Sequence, residues 1–176
     1  MKKLFLPLIL LIIMVLESTA VKILPDEWFL SDSLIIPHWT LVFLILIAVF
    51  YDRDSTYYSL LYGIIFGFLV DLTYTNILGV YMFSYGFVVY IIHELKKLFH
   101  PNAFIAILLT IVGLAMSEHI IYFIYYMIGV TDLTWTTYST VRLIPTLLGN
   151  ILFLLILLPL VRRKLLKWSN EQLPEK

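Results

Sequence analysis

The chain has 176 residues, 61% of them hydrophobic and only 14% charged, with a formal net charge of zero and no cysteine. Hydrophobic runs of bilayer-crossing length, roughly 17 to 25 residues, recur along it, so the composition reads as an all-α integral membrane protein. A disulfide framework and a cysteine-based metal site are excluded, and no global field points to nucleic acid.

Six apolar runs follow one another along the chain. The first, about residues 4–24, stands behind Lys2 and Lys3 and has the basic start, apolar middle and small-residue "STA" of a signal peptide. Val21, Ile23 and Leu24 continue the run and Glu17 fits a cleavage site poorly, so it reads as a retained helix. The next runs are about 34–50, 57–76, 79–95, 102–128 and 140–161, and residues 162–176 form a basic tail. The expectation is a single domain over residues 1–176 with six transmembrane helices. Barrel strands are excluded because they would alternate polar and apolar residues.

Charge in the connections sets the expected orientation. Lys2, Lys3, Arg53, Lys96, Lys97, Arg162, Arg163, Lys164, Lys167 and Lys176 fall on one side of a six-span arrangement, against Lys22 and Arg142 on the other. That bias places both termini in the cytoplasm. Asp26, Glu27, Asp32 and Asp132, with Trp28, Trp39 and Trp135, fall at the outer interface. The "RRKLLKW" stretch after the last run reads as an anchor to acidic lipid or a dock for a cytoplasmic partner.

Four ionisable residues lie within the runs: Glu17, Asp71, Glu118 and Arg142. Each facing lipid at mid-membrane would cost about 2.5–3.5 kcal/mol, so each is expected to face the protein interior. Their depths along the helices coincide in the outer half of the membrane, which predicts a buried polar cluster. In it Arg142 compensates one or two acids, and another carboxyl is protonated or hydrogen-bonded to Tyr, Thr or Asn. Intramembrane acids suggest a proton or cation relay. With no second base at depth, a structural pin that fixes helix rotation is the better reading.

Ser59, Gly63, Gly67 and Asp71 recur every fourth residue, a small-xxx-small row that ends in a carboxylate. Such a row lets another backbone approach closely, whether from the same chain, a second copy in a homodimer, or another protein. Arg142, Thr146 and Asn150 share a polar face of the sixth run, with Pro145 in its first turns where proline is tolerated. The histidines at 38, 93, 100 and 119 do not have metal-ligand spacing. Ser117, Glu118 and His119 are adjacent, so they point in different directions and cannot form a nucleophilic relay. Neither an enzyme nor a cofactor or metal is expected.

The stretch "GFLVDLTYTNILGVYMF", residues 67–83, resembles the central motif of the MreD family of bacterial rod shape-determining membrane proteins. Gly67, Asp71, Leu78 and Gly79 carry it: a glycine four before an aspartate, a short polar turn, then Leu-Gly and a further apolar helix. Glu17, "HPNAF" at 100–104 and "RLIPTLL" at 142–148 extend the resemblance over nearly the whole chain. It implies a non-catalytic scaffold subunit of the cell-elongation machinery in the plasma membrane, multi-pass and embedded in the lipid bilayer. Its implied partners are an MreC-type bitopic protein and, through it, MreB filaments, a RodA-type glycan polymerase and its transpeptidase. It also implies a six-helix fold like the substrate-binding subunits of energy-coupling-factor transporters. The alternative function is therefore a small-molecule-binding subunit of a vitamin-type transporter. Its first helix would then need a small-residue docking face, where bulky Leu and Ile stand instead.

Overall fold

The computed structural model describes residues 5–23 and 35–172, without the side chains of 21–23. Lys2, Lys3, Asp26, Glu27, Trp28, Asp32 and Lys176 lie outside the described residues, as does the side chain of Lys22. The described chain is all-α: α1 (Phe5–Ile23), α2 (Trp39–Phe50), α3 (Tyr58–Tyr74), α4 (Val80–Lys96), α5 (Ala103–Met127), the short α6 (Trp135–Tyr138), a π-helical turn (Ser139–Leu143) and α7 (Ile144–Asn170). Each apolar run of the sequence contains one helix, because buried or lipid-facing backbone must satisfy its own polar groups.

The centre of the bundle is α2, which packs against α1, α3, α4, α5 and α7. Every residue from Thr40 to Phe50 is buried. A helix that is apolar all round is one whose whole circumference is covered. Here other helices of the chain cover it.

That placement corrects the expected six spans and the two-sided topology built on them. Among the described residues only α5 and the continuous helix from Trp135 to Asn170 are long and apolar enough to cross a membrane. The apolar helices at Phe5–Ala20, Trp39–Phe50 and Tyr58–Tyr74 are shorter. With 12 residues, α2 is about 18 Å long at ~1.5 Å per residue, well short of the ~30 Å hydrocarbon core. The sequence run had been extended by Leu34–His38, of which 35–38 are not helical. Hydropathy responds equally to burial in protein and to burial in lipid, and α2 has the first.

The most extensive helix contact is between α3 and α4, joined by a turn that Gly79 makes possible with φ of 101°. That left-handed conformation is open to glycine and costly for other residues. Near α7 the chain is π-helical just before Pro145, which stands in the first turn of α7. Proline has no N–H and its ring clashes with the carbonyl four residues back. A π turn at that point rephases the helix ahead of the proline, and Arg142 lies within it.

Candidate functional site: acids that hold the next helix

The first turn of a helix leaves backbone N–H groups without partners, and the macrodipole makes that end electropositive. In α2, α3 and α4 the side chain of the N-cap residue makes no hydrogen bond to the amides of the first turn. In each case an acid from further back in the chain takes its place.

Glu17, near the end of α1, accepts the Thr40 amide at 2.8 Å and the Thr40 hydroxyl at 2.6 Å, both at the start of α2. Asp52, just after α2, accepts the amides of Tyr58 at 3.2 Å and Ser59 at 2.9 Å, together with the Ser59 hydroxyl, at the start of α3. Asp71, near the end of α3, accepts Gly79 at 2.9 Å, Tyr81 at 2.9 Å and Met82 at 3.0 Å at the start of α4. Asn102 caps α5 locally through the Ile105 amide at 2.9 Å. Asp71 is fully buried, and three backbone N–H groups converge on its carboxyl oxygens.

Above Asp71 the row of small residues faces α4 of the same chain. A methyl group on Gly67 would meet the Met82 Cα and the Tyr81 carbonyl oxygen, each at 2.7 Å. On Gly63 it would stand 3.4 Å from the Tyr85 carbonyl oxygen. Ser59 is held by Asp52. The glycines therefore set the distance between α3 and α4, and that distance puts the α4 amides within reach of Asp71.

Of the four ionisable residues expected to form one cluster, the structure brings Glu118 and Arg142 into contact, with Arg142 Nε 3.1 Å from Glu118 Oε2. Glu17 and Asp71 hold backbone elsewhere. The remaining partners of Glu118 are the Tyr138 hydroxyl and His38 Nε2 at 2.6 Å. The other ring nitrogen of His38 meets the Tyr85 hydroxyl at 2.9 Å. Arg142 also lies over the Tyr138 ring, 5.5 Å from its centre. The polar face of α7 holds the extended segment before α2. Thr146 accepts the Ile36 amide at 3.1 Å, and Asn150 accepts the His38 amide at 2.7 Å while donating to the Ile36 carbonyl at 2.9 Å.

At the opposite end of the bundle, Asp52 is nine-tenths buried or more, and burial pushes its carboxyl up to about 6 against the opposing Ser59 hydrogen bonds and the Lys96 charge. Lys96, lowered by burial, donates to the Asp52 backbone carbonyl. His93 Nδ1 lies 3.9 Å from Asp52 Oδ2, and burial lowers its pKa.

His38, Tyr85, Tyr138 and Asp52 are site residues that sequence reasoning did not assemble. His38 and Glu118 are 80 positions apart, and no local motif joins them. Asp52 reads as a loop charge unless it is noticed that Tyr57, the residue before α3, offers no cap.

The buried acids are engaged in capping and pairing, and among the described residues two helices are long and apolar enough to cross a bilayer, the traits of a helical membrane protein. Among the described residues no group of three or more His, Asp or Glu side chains is placed to hold a metal. The chain belongs to the MreD family: the family model described as rod shape-determining protein MreD matches residues 2–168. Rod shape-determining protein MreD of Bacillus subtilis (strain 168) is 31% identical over 157 residues, covering 89% of this chain and 90% of the relative. No solved structure matches. As a member of this family the chain is a non-catalytic membrane scaffold of cell elongation.

Proposed function

We propose that the chain is the membrane link of the rod complex in the bacterial plasma membrane. It would bind an MreC-type bitopic protein and through it connect MreB filaments to a RodA-type glycan polymerase and its transpeptidase. The observation that carries this reading is the family match over residues 2–168, nearly the full chain.

Two features support it. The outward face of α1 presents Phe5, Leu8, Leu11, Ile12, Val15 and Leu16 at 50–55% exposure, an apolar stripe open to lipid or to a partner's membrane helix. The buried acids Glu17, Asp52, Asp71 and Glu118 are tied to backbone or to neighbouring side chains, which suits a rigid pin rather than a relay. In this reading Ser59, Gly63, Gly67, Asp71 and Gly79 contribute to partner binding by fixing the α3–α4 pair.

Purification of the tagged protein from its own membranes in gentle detergent, followed by mass spectrometry, tests it. Recovery of the MreC-type protein with cell-wall synthases is the expected result. Recovery of an ATPase pair with a coupling membrane subunit would overturn it in favour of the transporter reading. That reading has one observation on its side: a cavity of about 540 Å³ whose lining includes Glu17, Ser18, Tyr74, Thr75 and Tyr81.

A further inference from the structure

The last turns of α7 combine three features that point to one ligand. The first is an apolar stripe. Leu148, Leu152, Ile156 and Leu160 recur every fourth residue and are 60–65% exposed, with no helix among the described residues covering them. The second begins two residues after Leu160, where Arg162, Arg163, Lys164 and Lys167 fall within six positions while α7 carries no acid at all. The third is a cavity of about 470 Å³ at this junction, lined by Pro159, Arg162, Arg163 and Leu166.

Complementing the helix macrodipole accounts for basic residues near a helix C-terminus, and snorkelling stems account for their reach. Neither accounts for Arg162. Its guanidinium lies over the Phe50 ring, 5.8 Å from the ring centre, which directs it toward the bundle. Its Nε is buried and has no hydrogen-bond partner. Buried donors are almost always paired, so an orphaned one signals a missing acceptor. Two arginines lining one cavity present planar donor forks that match an oxyanion such as phosphate bidentately.

We propose that this junction is a binding site for one anionic phospholipid of the surrounding bilayer. Its phosphate sits between Arg162 and Arg163 and its acyl chains lie along the Leu148–Leu160 stripe. The stripe decides between sources of phosphate: a free anion makes no use of it, whereas a diacyl lipid buries it. Basic pockets beside membrane helices take acidic headgroups in this way. Arg162 and Arg163 fix the headgroup, and Lys164 and Lys167 contribute only to the general field.

Delipidated protein in neutral detergent is titrated with phosphatidylglycerol, phosphatidylcholine or inorganic phosphate, and its unfolding temperature is recorded. A hundredfold excess of phosphatidylglycerol over its Kd is expected to raise the unfolding temperature by about 5–10 °C, with much smaller shifts for the other two. Arg162→Gln/Arg163→Gln is expected to abolish the shift, and Lys164→Gln/Lys167→Gln to retain it. If the double arginine variant does not fold, Arg163→Gln decides, because Arg163 is exposed; it is expected to weaken phosphatidylglycerol binding about tenfold. Equal shifts from phosphatidylcholine or inorganic phosphate would overturn the proposal. So would an unchanged affinity in Arg163→Gln, or an equal loss in the lysine pair.

Discussion

The carboxylate of Asp71 accepts the Gly79 amide at 2.9 Å through Oδ2, across the turn between α3 and α4. The same oxygen takes the Met82 amide and Oδ1 takes that of Tyr81. A carboxamide has one acceptor oxygen, so Asp71→Asn would aim an NH₂ group at an N–H donor. That variant should still be made and inserted, but should lose about 1–3 kcal/mol of stability. At roughly 2–4 °C per kcal/mol for a chain of this size, the loss is readable as a lower unfolding temperature in detergent. An unchanged value would remove the cap from the account.

The two glycines of the row should differ. Gly67→Ala places a methyl against α4 backbone at 2.7 Å, where nothing can rotate away. Overpacking of this kind costs about 1–3 kcal/mol, more than the ~1 kcal/mol that alanine adds in helix propensity. At Gly63 the nearest atom is at 3.4 Å, an ordinary contact, so Gly63→Ala should be neutral or stabilising. Thermal unfolding of the two variants side by side checks the ordering.

Much of this was legible in the sequence, for a physical reason. Every fourth residue of α3 shares a face, so the run Ser59, Gly63, Gly67, Asp71 is visible to anyone counting. What the acid binds was not visible, because its partners are amides and every residue but proline has one. Glu17 and Asp71 were placed with Glu118 and Arg142 because sequence gives depth along a helix but not direction around the bundle. The α2 run reads as a span in the sequence for a related reason: hydropathy does not distinguish a helix wrapped by its own chain from one wrapped by lipid.

Glu118 and Arg142 should behave as a buried pair. Glu118→Gln leaves the guanidinium of Arg142, 16% exposed, without its counter-charge. Breaking a buried pair on one side costs about 3–5 kcal/mol, while replacing both partners by apolar or neutral groups can be nearly neutral. Glu118→Gln/Arg142→Met should therefore be more stable than Glu118→Gln alone. A double variant no better than the single one would mean that His38 and Tyr138, not Arg142, dominate the environment of Glu118.

Asp52 gives stability a pH dependence whose sign follows from its direction of shift. Its folded pKa, about 6, lies above the ordinary 3.8, so the folded chain holds this proton more tightly than the unfolded one. Its contribution is complete below about 4 and is lost as pH rises through about 6, on the order of 1–3 kcal/mol in all. His93, lowered by burial, works the other way: its contribution is present above the usual histidine pKa and is lost on acidification. Asp52→Asn removes the titration; its one acceptor oxygen can keep the Ser59 amide and hydroxyl but gives up the Tyr58 amide, a loss that does not vary with pH. The stability difference between the native chain and Asp52→Asn should fall between pH 4 and 6; a difference that stays flat there contradicts the assignment.

The central claim is that the buried acids hold the first turns of the following helices. Amide hydrogen exchange in Asp71→Asn tests it most directly. The account predicts much faster exchange at Gly79, Tyr81 and Met82, with protection of α2 and α5 unchanged. Native protection at those three amides, or a loss spread evenly over the bundle, would contradict it.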